Sequence, residues 1–222
     1  MITIDLETVP GQASWVLDDI EANIKHPGNI KKQETIDKWN EESKPEAVSE
    51  AWRKTGLNAT KGELLCFGYA FDDNEPLALI RTLEQPESDL LNAINEVMAE
   101  NVRNNELALW VGHNITGFDL RFLFLRFVVN GIHPMFHIPY FAKPWEDTVF
   151  DTMVEWKGVG QSSVSGSLDA VSKALGYQGK GDIDGSKIYD YAIQGKYDEI
   201  ALYCQDDVVK ARNIYNRLTF RG

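Results

Sequence analysis

The sequence predicts an α/β protein, with a mixed central sheet flanked by helices and a helical insertion after the first strand. Three observations carry this reading. Ile2-Thr3-Ile4-Asp5-Leu6 alternates and is rich in β-branched residues, so a strand starts almost at residue 1. Residues 11–60 are polar, charged and helix-prone, with apolar positions at Ile36, Trp39, Val48 and Trp52. Beyond them, strand-like and helix-like segments run on to the C-terminus.

The elements follow in order. Val9-Pro10-Gly11 ends the first strand. The insertion reads as two or three amphipathic helices, broken at Pro27-Gly28-Asn29 and at Lys44-Pro45. Residues 63–71 form an apolar strand, Asp72-Asp73-Asn74-Glu75-Pro76 a turn, and 77–82 the returning strand of a hairpin. Leu90, Leu91, Ile94, Val97 and Met98 recur at helical spacing over 87–104. A strand over 107–111, a turn at Gly112-His113-Asn114 and a helix over 118–130, closed by Gly131, come next. Residues 132–165 are mixed and show no periodic element. Ser167 reads as the N-cap of a helix that Gly176 closes. A Gly/Asp loop over 180–186, a short helix over 189–192 and a long helix over 197–217 complete the chain.

A length of 222 residues suits a single domain, 1–222, with 11–60 inserted in it. No apolar run approaches the ~20 residues of a membrane span, and the N-terminus carries no targeting pattern. Cys66 and Cys204 have neither CxxC nor zinc spacing, so free buried thiols in a cytoplasmic protein are expected. A net charge of −12 argues against long-range attraction to nucleic acid. Acids gathered at a metal site would add to that count, and nucleic-acid contact would then rest on local basic residues and be salt-sensitive.

The chemistry-bearing residues fall in three segments. Asp5 and Glu7 lie two apart on a strand, so both carboxylates share one face. Two such acids repel each other unless a cation sits between them. Asp119 follows a strand end and opens a helix, where open α/β sheets place ligands; helix-dipole capping alone also accounts for an acid there. Tyr203 and Asp207 are four apart on a helix and share a face, while Asp206 is turned about 100° away. Carboxylates with no Cys or His expected among them are hard oxygen donors, which suit Mg²⁺ or Mn²⁺.

Taken in order, these segments resemble the three exonuclease motifs of the DEDD superfamily, in its tyrosine-containing branch: Asp5-Leu-Glu7-Thr8, Asn114-x3-Phe118-Asp119 and Tyr203-x3-Asp207. Phe150-Asp151-Thr152-Met153, Ser167-Leu168-Asp169, Gly185-Ser186-Lys187 and Tyr203-Cys204-x2-Asp207-Val208 are similar to stand-alone exonucleases related to the editing domain of family-B DNA polymerases. The resemblance implies a ribonuclease H-like fold and a metal-dependent 3′–5′ exonuclease that releases nucleoside 5′-monophosphates. It implies two divalent cations, Mg²⁺ or Mn²⁺, held by Asp5, Glu7, Asp119 and Asp207, with Tyr203 orienting the attacking water. A single-stranded DNA 3′ end is the favoured substrate, because the terminal phosphodiester must splay onto the carboxylates and a stable duplex resists this. RNA trimming is an alternative; a non-catalytic binding or scaffold module is another, although no ligand acid is lost. An editing role in trans would bring a replication or repair partner.

Leu6, Thr8, Asn114, Phe118 and Lys187 are the candidate substrate contacts. Thr8 either meets the terminal nucleotide or caps backbone, and Asn114 either meets substrate or braces its turn. Phe118 is a wedge or a core aromatic. Lys180 and Lys187 meet phosphate or solvent. The Leu6 side chain should point away from Glu7, into the core. His113 reads as structural, Asp151 as support for the sheet edge, and Trp15, Trp39 and Trp52 as helix packing or base stacking.

Overall fold

The computed structural model describes residues 1–102, 108–143, 146–158, 164–177, 179 and 184–221. Leu107, in the expected fourth strand, and Lys180, in the Gly/Asp loop, lie outside these residues. The chain divides into two compact units, Met1–Glu7 with Leu64–Gly222, and Thr8–Glu63.

The first unit is built on a mixed five-stranded sheet of order β3-β2-β1-β4-β5. Strand β1 is Ile2–Val9, β2 is Glu63–Phe71, β3 is Leu77–Ile80, β4 is Trp110–Gly112 and β5 is Val149–Asp151. β2 and β3 pair antiparallel, with Phe67 opposite Leu79. β4 runs parallel to β1, with Ile2 opposite Trp110, and to β5, with Val111 opposite Phe150. This is the mixed sheet with flanking helices that the sequence predicts. β2 is buried from Leu64 to Ala70, which is why it reads as one unbroken apolar run.

The flanking helices are α4 (Glu87–Asn101), α5 (Asp119–Val129), α6 (Thr152–Lys157), α7 (Leu168–Ala174), α8 (Ile188–Ala192) and α9 (Tyr197–Leu218). α9 buries Ile200, Cys204, Val208, Ala211, Ile214 and Tyr215 at helical spacing. Gly68 of β2 lets α9 lie close, since a Cβ there would stand 2.7 Å from Cys204 Sγ and 3.1 Å from Val208. Glu87 ties β2, α4 and α5 together. It accepts from Leu64 N at 2.6 Å, Arg126 Nη2 at 2.5 Å and Asn130 Nδ2 at 2.7 Å.

β5 and α6 arise where the sequence shows no periodic element. A three-residue strand is too short to display alternation, and α6 has six residues. What fixes both is Asp151, the last residue of β5, whose carboxylate caps α6 by accepting from Met153 N and Val154 N. Ser167 caps α7 through Ala170 N, as expected.

In the second unit, α1 (Ser14–Asn23), α2 (Gln33–Glu42) and α3 (Lys44–Lys54) follow one another, and Pro45 sits in the first turn of α3, where its missing N–H costs nothing. Their core is Val16, Ile20 and Val48, with Ile24, Ala51 and Trp52 against it. α2 buries no residue, so Ile36 and Trp39 contribute less than their spacing suggests. Among the described residues, no helix is long and apolar enough to cross a membrane.

Candidate active site

Strand β1 carries the first two acids. Its alternation puts Asp5 and Glu7 on one face and buries Leu6 on the other, as the spacing requires. α9 supplies Tyr203, Cys204 and Asp207, all buried. Asp119 is the first residue of α5, directly beyond the β4 turn, and is also buried. Thus β1, α5 and α9 each bring acids to one place.

Their mutual effects show how near they are. Burial pushes the Asp5 carboxyl well above its usual pKa, and the charges of Asp119 and Asp207 push it further. Asp119 is pushed up to about 8, by burial and then by the charge of Asp151, against the pull of its own N–H and the Leu6 N–H, which donate to it. Tyr203 is raised by burial and by the charges of Asp207, Glu7 and Asp5, and its phenol donates to Asp207. The phenol therefore stays protonated and acts as a donor rather than a base.

The structure corrects the expectation of a site without cysteine. Cys204 Sγ lies 3.4 Å from Asp5 O and 3.6 Å from Asp5 Oδ2. The ligand atoms of Asp5, Glu7 and Cys204 all lie within 4.8 Å of one another. Burial raises the Cys204 thiol well above its usual pKa, with Cys66, Asp5 and Glu7 adding to the shift. The sulfur is thus a neutral neighbour, and the charged donors remain carboxylate oxygens. The sequence held a signal for this: Cys204 stands three residues before Asp207 on one helix and shares its face.

Lys210 is a buried cation beside these acids, 3.2 Å from Asp207 Oδ1 and also paired with Asp206. Burial pulls its pKa down, but Asp206 and Asp207 outweigh this and leave it raised. Asp206 itself is half exposed and turned from the cluster, as its helical offset predicts. Asp119 and Asp207 still disfavour the charge of Asp5, so the oxygen-rich cluster fits added divalent cations.

Asp151 organises the turn that delivers Asp119. Fully buried, it accepts from Asn114 N, Thr116 N and Thr116 Oγ1, at 3.0, 3.0 and 2.6 Å, besides capping α6. Local sequence carries no signal for this role, because the contacts span more than thirty residues.

The candidate substrate contacts divide. Asn114 braces its turn: its backbone has φ +63°, and its carbonyl accepts from Gly117 N and Phe118 N. A Cβ on Gly117 would collide with Asn114 Oδ1 at 2.3 Å. Thr8 Oγ1 donates to Gly56 O at 2.7 Å, which is the backbone-capping alternative. The Phe118 ring packs on Phe122, 5.1 Å between centroids, and stays half-buried. Lys187 is exposed at the end of a 3₁₀ turn. Leu6 offers its N–H to Asp119 while its side chain is buried. His113 has Nδ1 2.9 Å from Thr152 Oγ1 and Nε2 2.6 Å from Gly166 O, a structural tie. In the second unit, Trp52 Nε1 donates to Gly11 O and Trp39 meets His26 edge-on.

Residues 66–221 match the family described as a predicted 3′–5′ exonuclease related to the exonuclease domain of PolB. The chain belongs to that family. Members of this exonuclease family are phosphodiester hydrolases acting on nucleic acid, and exonuclease domains of this kind use divalent metals. Asp119, Tyr203 and Asp207 fall within the matched segment, whereas Asp5 and Glu7 precede it. A family B DNA polymerase from the hyperthermophilic archaeon Pyrobaculum calidifontis shares the fold, with a TM-score of 0.60 over 98% of this chain at 13% identity. The match spans 24% of the polymerase. Among curated proteins, no sequence matches.

Proposed function

We propose that this exonuclease removes nucleotides from the 3′ end of single-stranded DNA, releasing nucleoside 5′-monophosphates, with two Mg²⁺ or Mn²⁺ ions held by Asp5, Glu7, Asp119 and Asp207. The observation that carries the reading is the convergence of acids on Asp5, whose charge is disfavoured by burial and by its neighbours Asp119 and Asp207. When bound, the cations supply charge neutralisation and polarise water and the phosphoryl group.

The residues of the chain do the rest. Tyr203, whose one O–H donates to Asp207, holds its phenol oxygen at the acid cluster, where it accepts from the attacking water and orients it. Lys210, 3.2 Å from Asp207 Oδ1, steadies that carboxylate. Asp151 fixes the Asn114–Asp119 turn, so Asp119 enters from the end of α5. A terminal phosphodiester reaches such a site once it is splayed from its neighbour, which favours unpaired ends.

The test uses 5′-labelled oligonucleotides, DNA and RNA, single-stranded and duplex, with Mg²⁺, Mn²⁺ or EDTA. A descending ladder on single-stranded DNA that EDTA stops is the expected result. A single internal cut overturns the reading, and a ladder confined to RNA overturns its substrate.

A further inference from the structure

Away from the acid cluster, the outer side of α5 carries an aromatic stack with a cation on it. Tyr140 lies flat on Phe124, with centroids 3.5 Å apart and planes 5° apart. Phe141 packs against Tyr140 at 4.4 Å and remains 72% exposed. The Arg121 guanidinium sits 5.5 Å from the Tyr140 ring and 5.3 Å from the Phe141 ring. Arg121 and Lys143 are both exposed here.

We infer that Arg121, Tyr140 and Phe141 form a stacking site for an unpaired nucleobase of the strand whose 3′ end enters the acid cluster. The inference rests on the nuclease reading above and extends it to nucleotides upstream of the cleaved one. An aromatic face with an arginine beside it holds single strands without reading sequence, because every base offers a π face. The two cations select the occupant: on a chain of net charge −12, they complement a polyanion rather than an apolar partner. Position agrees. Arg121 follows Asp119 by two residues, on the other side of a helix about 10–12 Å thick, so a strand leaving the Asp119 end of α5 reaches the stack within a few nucleotides. A core role would cover Phe141, yet most of it is open to solvent.

The test is equilibrium binding of a fluorescent single strand of about ten thymidylates to the full chain in EDTA, where cleavage is stopped. Phe141→Ala and Arg121→Ala should each weaken binding by about fivefold or more. Phe141→Leu keeps apolar bulk without the π face and should behave as Phe141→Ala does. Because Phe141 is exposed, circular dichroism should show all three variants folded. Equal binding by wild type and the alanine variants overturns the inference, as does a Phe141→Leu variant that binds like wild type. The two readings fail separately. A wild type that binds through Phe141 but makes no Mg²⁺-dependent ladder sinks the nuclease reading, whereas a ladder with unchanged binding in the variants sinks the stacking site.

Discussion

Glu87 and Asp5 are acidic residues of the same unit, and they are surrounded in opposite ways. Glu87 lies buried among donors, taking hydrogen bonds from Leu64 N, Arg126 and Asn130. Asp151 is treated similarly, with backbone N–H groups and a threonine hydroxyl aimed at it. Asp5 faces Asp119 and Asp207 instead, with a neutral thiol against its carboxylate. The chain therefore answers a buried acid from within when the acid is structural. Where it leaves acids facing acids, folding alone offers no gain, and an outside cation explains the arrangement.

The contrast can be broken or sharpened by mutation. The largest effect belongs to the answered cluster. Arg126→Ala leaves Glu87 buried without its cation and should cost about 3–5 kcal/mol of stability in urea unfolding, with no rescue by Mg²⁺. Asp5→Asn should instead leave the metal-free protein as stable as wild type or more so. A loss as large as that of Arg126→Ala would break the comparison. The same Asp5→Asn change should lower turnover in Mg²⁺ by at least about 10³-fold, or about 4 kcal/mol in barrier, measured on a labelled single strand. Tyr203→Phe loses an orienting hydrogen bond but no charge, so turnover should fall by about ten- to a hundredfold with the metal requirement unchanged.

The Asp119 carboxyl in the folded chain is pushed up to about 8, above the usual carboxylate range. The folded form therefore holds its proton more tightly than the unfolded form does. Its contribution to stability is full below about pH 4 and is lost as the pH rises through about 8. With metal chelated, the urea midpoint should fall across that window, and Asp119→Asn should flatten the fall. The smallest effect belongs to Asp206, a half-exposed partner of Lys210; Asp206→Ala should cost less than about 1 kcal/mol.

Much of this was legible in the sequence because it depends on short-range period. Alternation at Ile2–Leu6 placed Asp5 and Glu7 on one face, and the four-residue step from Tyr203 to Asp207 placed both on the inner side of α9. β5 was not legible, because three residues carry no period and the strand is defined by pairing with β4, far away in sequence. The three-residue step from Cys204 to Asp207 puts both on one helix face, but it does not say what that face is packed against, so the thiol at the acid cluster is not legible from it alone. By sequence Asp151 reads as support for the sheet edge, but its grip on the β4–α5 turn depends on contacts made across more than thirty intervening residues. For Asn114, Thr8 and Phe118 the residue type fits both binding and bracing, and geometry alone gives the brace at Asn114 and the backbone cap at Thr8.

Asp5, Glu7, Asp119 and Asp207, gathered by β1, α5 and α9, should form a cation site. Thermal unfolding of wild type and Asp5→Asn, each with and without Mn²⁺, tests it most directly, since a ligand that binds the folded state raises its stability. Mn²⁺ should raise the melting temperature of wild type by several degrees and leave Asp5→Asn unmoved. No shift in wild type, or an equal shift in the variant, would contradict it.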